Sequence, residues 1–321
     1  MTAFLLRAFG VLLMLTALAL TLSRAPDRPV ETLVARWALP PSDFVEVKGQ
    51  VVHIRDEGPR GDPLPVVLMH GTSASLHTWE GWVKALKGQR RVISFDLPGF
   101  GLTGPFSGQY AAADHPADYS GDAYARFVID LLDQLQVQRF VAAGNSFGGE
   151  VAWRLAGLAP ARVERLILVD SSGLAPDPAA VPLGWYVARV PALRWLLEEL
   201  LPRSLVAQGI EGVYGHPERV TPELVDRYFE LALRQGNRRA LGQRLRQAHP
   251  GADIERLKTL TLPTLILWGG KDRLFPAAVA RRFHADIAGS RLVIFDDLGH
   301  VPQEEDPART VLAVREFLGL K

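Results

Sequence analysis

The chain has 321 residues, enough for one large α/β domain or two modest ones, and its 48% apolar and 22% charged residues exclude a disordered, collagen-like or polytopic membrane protein. Its 36 basic side chains against 35 acidic ones leave a formal net charge of +1, so no global field favours nucleic acid or an anionic surface. The absence of cysteine excludes disulfides, thiolate metal sites, iron–sulfur clusters and cysteine nucleophiles together.

Residues Phe4 to Leu22, FLLRAFGVLLMLTALALTL, are apolar except for Arg7 and two threonines. As a helix they would extend ~28 Å, close to the ~30 Å hydrocarbon core of a bilayer. Small-x-small pairs that mark a signal cleavage site are badly placed: Ala17 with Ala19 lies inside the apolar run, and Ser23 with Ala25 is followed by Pro26. The expectation is an uncleaved transmembrane anchor over residues 1–25, with the lipid bilayer as a partner and an exported, cleaved form as the alternative. Arg7 on one side and Arg24, Arg28 and Arg36 on the other leave its orientation open. Pro26, Pro29, Pro40 and Pro41 suit a stiff linker over 26–41.

From residue 42 the pattern changes. DFVEVKGQVVHIRDEG alternates apolar and polar residues around Gly49, which predicts a two-stranded antiparallel ribbon. VVLMH (66–70), RVISFD (91–96), RFVAAG (139–144), VERLILVD (163–170), TLILWG (264–269) and RLVIFD (291–296) are short apolar runs of the kind buried in parallel sheets. Helical patterns separate them, notably Asp122 to Leu135 and Glu304 to Leu318. The alternation predicts an α/β fold with a mostly parallel central sheet and helices on both faces. It stops between Leu174 and Leu260, where helical segments occur without a strand over a length ordinary connections do not reach. The predicted units are therefore a core in two parts, 42–173 and 261–321, interrupted by a helical cap over 174–260.

Three segments carry chemistry. At the end of RFVAAG stands G-N-S-F-G-G, with Ser146 at its centre and a helical pattern after it. A serine on a sharp strand-to-helix turn crowds the residues two places away, so both flanking positions lack side chains. The N–H of Phe147 then opens a helix and points at the place where negative charge develops during attack on a carbonyl. Serine needs a base, and the base needs an acid to orient it. Asp272 follows the strand TLILWG, and His300 follows RLVIFD, each just beyond a strand's carboxyl end. Asp170, which also ends a strand, is the alternative acid, and Asp296 and Asp297 lie close to His300 in sequence.

Competing patterns are weaker. His53, His115, His216, His249 and His284 lie in positions that suit structural or surface roles, while His70 and His77 share a loop without a carboxylate at metal-ligand spacing. Gly99, Gly101 and Gly104 spell G-x-G-x-x-G, but Pro105 follows and no helix opens there, so a turn is expected rather than a dinucleotide site. Gly270 and Lys271 precede Asp272 rather than Ser or Thr, which excludes a phosphate-binding loop of that type.

With GNSFGG, the segments HGTSAS (70–75), DLPGFGLT (96–103), GGKDRLFP (269–276) and DLGHVPQEEDP (297–307) occur in an order that resembles the α/β-hydrolase fold superfamily over nearly all of residues 43–320. The resemblance implies Ser146 as nucleophile, Asp272 as orienting acid, His300 as base, the N–H groups of Thr72 and Phe147 as oxyanion hole, and the insertion after VERLILVDSSG as the lid. No metal or cofactor is implied. The expected reaction is cleavage of a carboxylic ester of a small molecule through an acyl-enzyme, with Trp185, Tyr186 and Trp195 of the cap favouring an apolar acyl group. Because GNSFGG also resembles the motif of hydrolases acting on ring-cleavage products, carbon–carbon bond hydrolysis is the alternative, for which Arg189 or Arg194 would hold a substrate carboxylate. A non-catalytic membrane-tethered binding protein of the same fold is the remaining one.

Overall fold

A computed structural model describes residues 2–111, 117–193 and 198–320. In chain order, α1 (Thr2–Leu22) and α2 (Glu31–Trp37) precede the strands β1 (Asp43–Val47), β2 (Gln50–Glu57) and β3 (Val66–Met69). Then come α3 (Glu80–Leu86), β4 (Val92–Phe95), α4 (Gly121–Gln134), β5 (Phe140–Asn145), α5 (Phe147–Leu158) and β6 (Val163–Val169). Next are α6 (Leu183–Arg189), α7 (Arg203–Val213), α8 (Pro222–Ala232) and α9 (Asn237–Gln247). The chain closes with β7 (Thr264–Gly269), α10 (Ala277–Asp286), β8 (Arg291–Phe295), α11 (Pro302–Glu305) and α12 (Pro307–Leu318).

The eight strands form one sheet in the order β1-β2-β4-β3-β5-β6-β7-β8. β1 and β2 are the predicted ribbon, joined through Lys48 and Gly49 at φ 52° and 83°, the left-handed pair that a two-residue hairpin needs. From β4 to β8 every pairing is parallel. Parallel strands are covered on both faces. Here α3 and α12 bury Trp82, Leu86, Val311 and Val314 against one face, and α4, α5 and α10 bury Phe127, Trp153 and Phe283 against the other. β8 departs from expectation: its apolar run is only half-buried, because it is the edge strand and has a neighbour on one side alone. The predicted terminal helix is two helices. Pro307 has no N–H to continue α11, and Asp306 instead caps α12 by accepting from the Arg309 N–H at 3.2 Å.

The described part of 174–260 is helical, without a strand. Trp195 and Arg194 lie outside the described residues, as does His115. The segment expected as a linker is packed against these helices. Leu33 of α2 is buried with Leu102 and Leu231, and Asp27 accepts hydrogen bonds from Arg238 (2.6 Å) and from the Gly236 N–H (2.8 Å). Proline supplied stiffness, but the apolar and acidic residues between the prolines supplied contacts.

The anchor expectation is not supported. No helix among the described residues is long and apolar enough to cross a membrane. Apolar side chains of α1 are nonetheless exposed, Phe4 by 74% and Leu6 by 71%.

Arg238 is buried and Asp27 is its carboxylate partner. Asp27→Ala should therefore cost about 3 kcal/mol in urea unfolding, the range for removing one member of a buried pair. An unchanged midpoint would show that the segment before residue 42 adds nothing to the fold.

Candidate active site

Ser146 stands between β5 and α5 with φ 53° and ψ −119°. Its N–H donates to Val169 O at 3.0 Å, and its carbonyl accepts from the N–H of Ser172 at 2.9 Å and of Glu150 at 3.1 Å. The flanking glycines are required by contact. A Cβ on Gly144 would lie 2.1 Å from Gly148 O, and one on Gly148 would lie 2.1 Å from Met69 O. Phe147 begins α5, so its N–H belongs to the first turn, whose amides have no intrahelical acceptor. Thr72 follows β3 and lines the same cavities as Ser146.

His300 Nδ1 lies 2.8 Å from Asp272 Oδ2, and both residues are buried. The other oxygen of Asp272 accepts from the N–H groups of Leu274 (2.8 Å) and Phe275 (3.0 Å), which fixes the carboxylate. Ser146 and His300 line one cavity. The backbone of His300 is gripped from two directions. Its N–H donates to Val213 O at the end of α7 (2.7 Å), and its carbonyl accepts from Asn145 Nδ2 (3.0 Å). Thus the asparagine of G-N-S-F-G-G ties the serine turn to the histidine loop, a role that sequence reasoning missed because the partner is a backbone atom 155 positions away.

Asp170 lies beside this pair without taking Asp272's place. Atoms of Asp170, Asp272 and His300 lie within 4.8 Å of one another. Asp170 Oδ1 accepts from the Gly269 N–H at 2.9 Å, while Oδ2 is buried without a hydrogen-bond partner among the described residues. Burial, and then the charge of Asp272, push the Asp170 carboxyl well above the usual carboxylate range. Asp297 is drawn away from the site by Arg309, at 2.8 and 2.9 Å, which holds its carboxyl well below the usual range.

The remaining motifs are structural in place. His70 donates from Nδ1 to Gly71 O (2.7 Å), and its Nε2 accepts from the Leu97 N–H (2.9 Å). His77 lies between Ser75 Oγ and Trp37 O, and burial brings its pKa down to about 3. Both rings are therefore occupied and neutral, so these two histidines do not assemble a metal site. His53 pairs with Asp96 at 2.7 Å. Gly99, Gly101 and Gly104 all have positive φ, and Asp96 occupies the space where Gly101 would carry a Cβ. That segment is a turn.

Two chambers meet at Ser146. One, of 460 Å³, is lined mostly by apolar cap residues, among them Leu183, Leu205, Val206, Ile210 and Leu241. The other, of 730 Å³, is the more polar of the two, with Arg154, Arg189, Arg244, His249 and Glu150 in its wall beside apolar residues such as Leu174, Val181 and Phe275. Trp185 lines both, and Tyr186 lines the polar one.

A strained serine turn and the histidine of a buried histidine–carboxylate pair line one cavity, and the sequence model of the alpha/beta hydrolase family matches residues 66–314. The chain belongs to the alpha/beta hydrolase family. An uncharacterized protein of Mycobacterium tuberculosis is 33% identical over 272 residues, 79% of this chain and 74% of its own length. A 2-hydroxymuconate semialdehyde hydrolase from a Pseudomonas species is 28% identical over 270 residues, covering 80% of this chain and 88% of that protein. Among solved structures, a thermophilic esterase from Thermogutta terrifontis superposes with a TM-score of 0.69 at 25% identity, covering 86% of this chain and 98% of that one.

Asp272→Asn should lower kcat by roughly 10⁴-fold, whereas Asp170→Asn should change it by less than about tenfold. A raised folded-state pKa favours the fold below the ordinary carboxylate range and withdraws that stability as pH rises toward the folded value. Wild-type stability should therefore fall from about pH 4 upward relative to Asp170→Asn, read by urea unfolding across pH. Parallel pH profiles would mean that Asp170 is ionised in the fold.

Proposed function

We propose that this hydrolase cleaves carboxylic esters with an apolar acyl group by way of an acyl-enzyme. The observation that carries the reading is the apolar chamber opening on Ser146 beside the Asp272–His300 pair. In the proposed reaction, Ser146 Oγ attacks the carbonyl carbon while its proton passes to His300 Nε2. The N–H groups of Thr72 and Phe147 hold the oxyanion. Collapse expels the alcohol, which takes the proton from His300. Water then gives a proton to His300 and adds to the acyl carbon, and release of the acid returns that proton to Ser146. Asp272 orients the imidazole and balances its transient charge.

Carbon–carbon hydrolysis is the second reading. The polar chamber with its arginines favours it, as does similarity to a protein named as a 2-hydroxymuconate semialdehyde hydrolase. p-Nitrophenyl esters from acetyl to dodecanoyl decide between them. Ester cleavage should rise from acetyl toward medium chains, and Ser146→Ala should lose at least roughly 10⁴-fold in kcat/KM. A folded enzyme inactive on every ester yet active on a ring-cleavage dienoate would replace the first reading with the second.

For α1 the proposed role is attachment to a lipid surface, supported by its exposed apolar residues, with an exported form as the alternative. The full chain should float with phosphatidylcholine vesicles, and a chain beginning at Ser23, which keeps Asp27, should not. Equal recovery of both in the vesicle-free fraction would end that reading.

A further inference from the structure

Arg244 of α9 is a buried cation, only 7% exposed, without a carboxylate partner among the described residues. Its Nη2 donates to Thr72 Oγ1 at 2.8 Å, and its guanidinium carbon lies 4.1 Å from the centroid of the Phe147 ring. Its Nε is buried with no hydrogen-bond partner. The side chain therefore touches both residues whose N–H groups form the proposed oxyanion hole, and it lines the polar chamber together with Ser146.

Removing a guanidinium from water is unfavourable unless an anion or a full set of acceptors replaces the lost hydration. Neither is supplied by the chain. The three carboxylates lining the chamber, Asp122, Glu150 and Asp253, all converge on Arg154, at 2.9, 3.0 and 2.8 Å. Arg189 and Arg246 line the same chamber, and Arg246 Nη1 is directed at Ala188 O, 3.2 Å away. The chamber wall thus carries four arginines against three carboxylates, and those carboxylates pair with Arg154 and, through Asp122, with Arg256, none of them with Arg244. The unsatisfied positive charge lies next to the reacting centre, on the side away from the apolar chamber.

We propose that Arg244 binds an anionic oxygen group of the substrate, a carboxylate or a phosphate, so that the substrate is amphiphilic: apolar in one chamber and anionic in the other. This rests on the ester-hydrolase reading and adds the charge that the substrate must carry. Guanidinium suits both anions because it offers paired N–H donors to two oxygens. Contact with Thr72 also links the anion to the oxyanion hole, so occupancy of the chamber aligns the hole for attack.

The test compares matched esters on the full-length protein. Phenyl hexanoate is the neutral substrate; 4-carboxyphenyl hexanoate and 4-phosphonooxyphenyl hexanoate are the anionic ones. Wild type should prefer at least one anionic ester over the neutral ester by tenfold or more in kcat/KM. Arg244→Gln should abolish that preference, bringing the anionic-to-neutral ratio of kcat/KM to about one, and Arg244→Lys should retain part of it. Whichever anionic ester loses more identifies the anion.

An unchanged preference in Arg244→Gln, or an equal loss on neutral and anionic esters, would overturn the proposal and leave Arg244 as a support for Thr72. Binding is read separately with Ser146→Ala, titrated with benzoate and with inorganic phosphate and followed by tryptophan fluorescence. Saturable binding that vanishes in Ser146→Ala/Arg244→Gln supports the anion site even where no ester is cleaved. Binding that survives the second substitution, or no binding of either anion, counts against it. Failure of ester hydrolysis and failure of the anion site are thereby distinguished.

Discussion

Ser146 is held with φ at 53° and ψ at −119°, a backbone state that costs an L-residue about 1–3 kcal/mol. Local sequence does not stabilise it. The state persists because the parallel register sets Met69 beside Gly144 and Asn145 beside Val169, so that β3 and β6 flank the turn. Val169 O takes the Ser146 N–H, and the Ser172 N–H takes its carbonyl. The missing side chain at Gly148 lets α5 settle on the end of β3. Moving the serine would break pairings across three strands. For that reason the hydroxyl has one position relative to the sheet, and the rest of the site can be built to meet it.

The histidine meets it through the cap as much as through the core. Gly299 and Gly215 pack backbone to backbone, where a Cβ on Gly299 would fall 2.3 Å from Val213 O. Glu305 accepts from the N–H groups of Gly299 (2.8 Å), Gly215 (3.0 Å) and His216 (2.7 Å), joining the loop before His300 to the end of α7. Glu304 pairs with Arg227 and accepts from Tyr228 Oη at 3.0 Å, so α8 is joined to α11 as well. A helical insertion that only covered the site would have no need of these contacts. Here it is one wall of the apolar chamber and one of the two supports of the His300 backbone, which couples the shape of that chamber to the position of His300.

How much of this was legible in the sequence follows from the range of the interactions involved. Strand-helix alternation, the hairpin at Lys48-Gly49 and the glycines around Ser146 are local patterns, and they led directly to the sheet, its ribbon and the serine turn. Asp272 and His300 were placed by their positions after strands, because parallel strands bring all their carboxyl ends to one edge. The packing of residues 26–41 was missed, since Asp27 and Leu33 find their partners some two hundred positions away. The apolar run of β8 gave no sign that it would be an edge strand. Arg244 was not visible as a site residue either: on a helix rich in arginine, nothing distinguishes the one that turns inward until burial is known.

Two side chains at this site are bare of the partners that buried ionisable groups normally have, and they differ in how the imbalance is resolved. Asp170 can give up its charge. Burial, and then the charge of Asp272, favour its neutral form. Arg244 cannot follow the same route, because even with burial pressing its pKa downward a guanidinium keeps its proton in a protein. A carboxyl can adapt to an empty site, whereas an arginine must wait for its counterion. In the proposed reading, the substrate's anion supplies the counterion that no carboxylate among the described residues provides to Arg244.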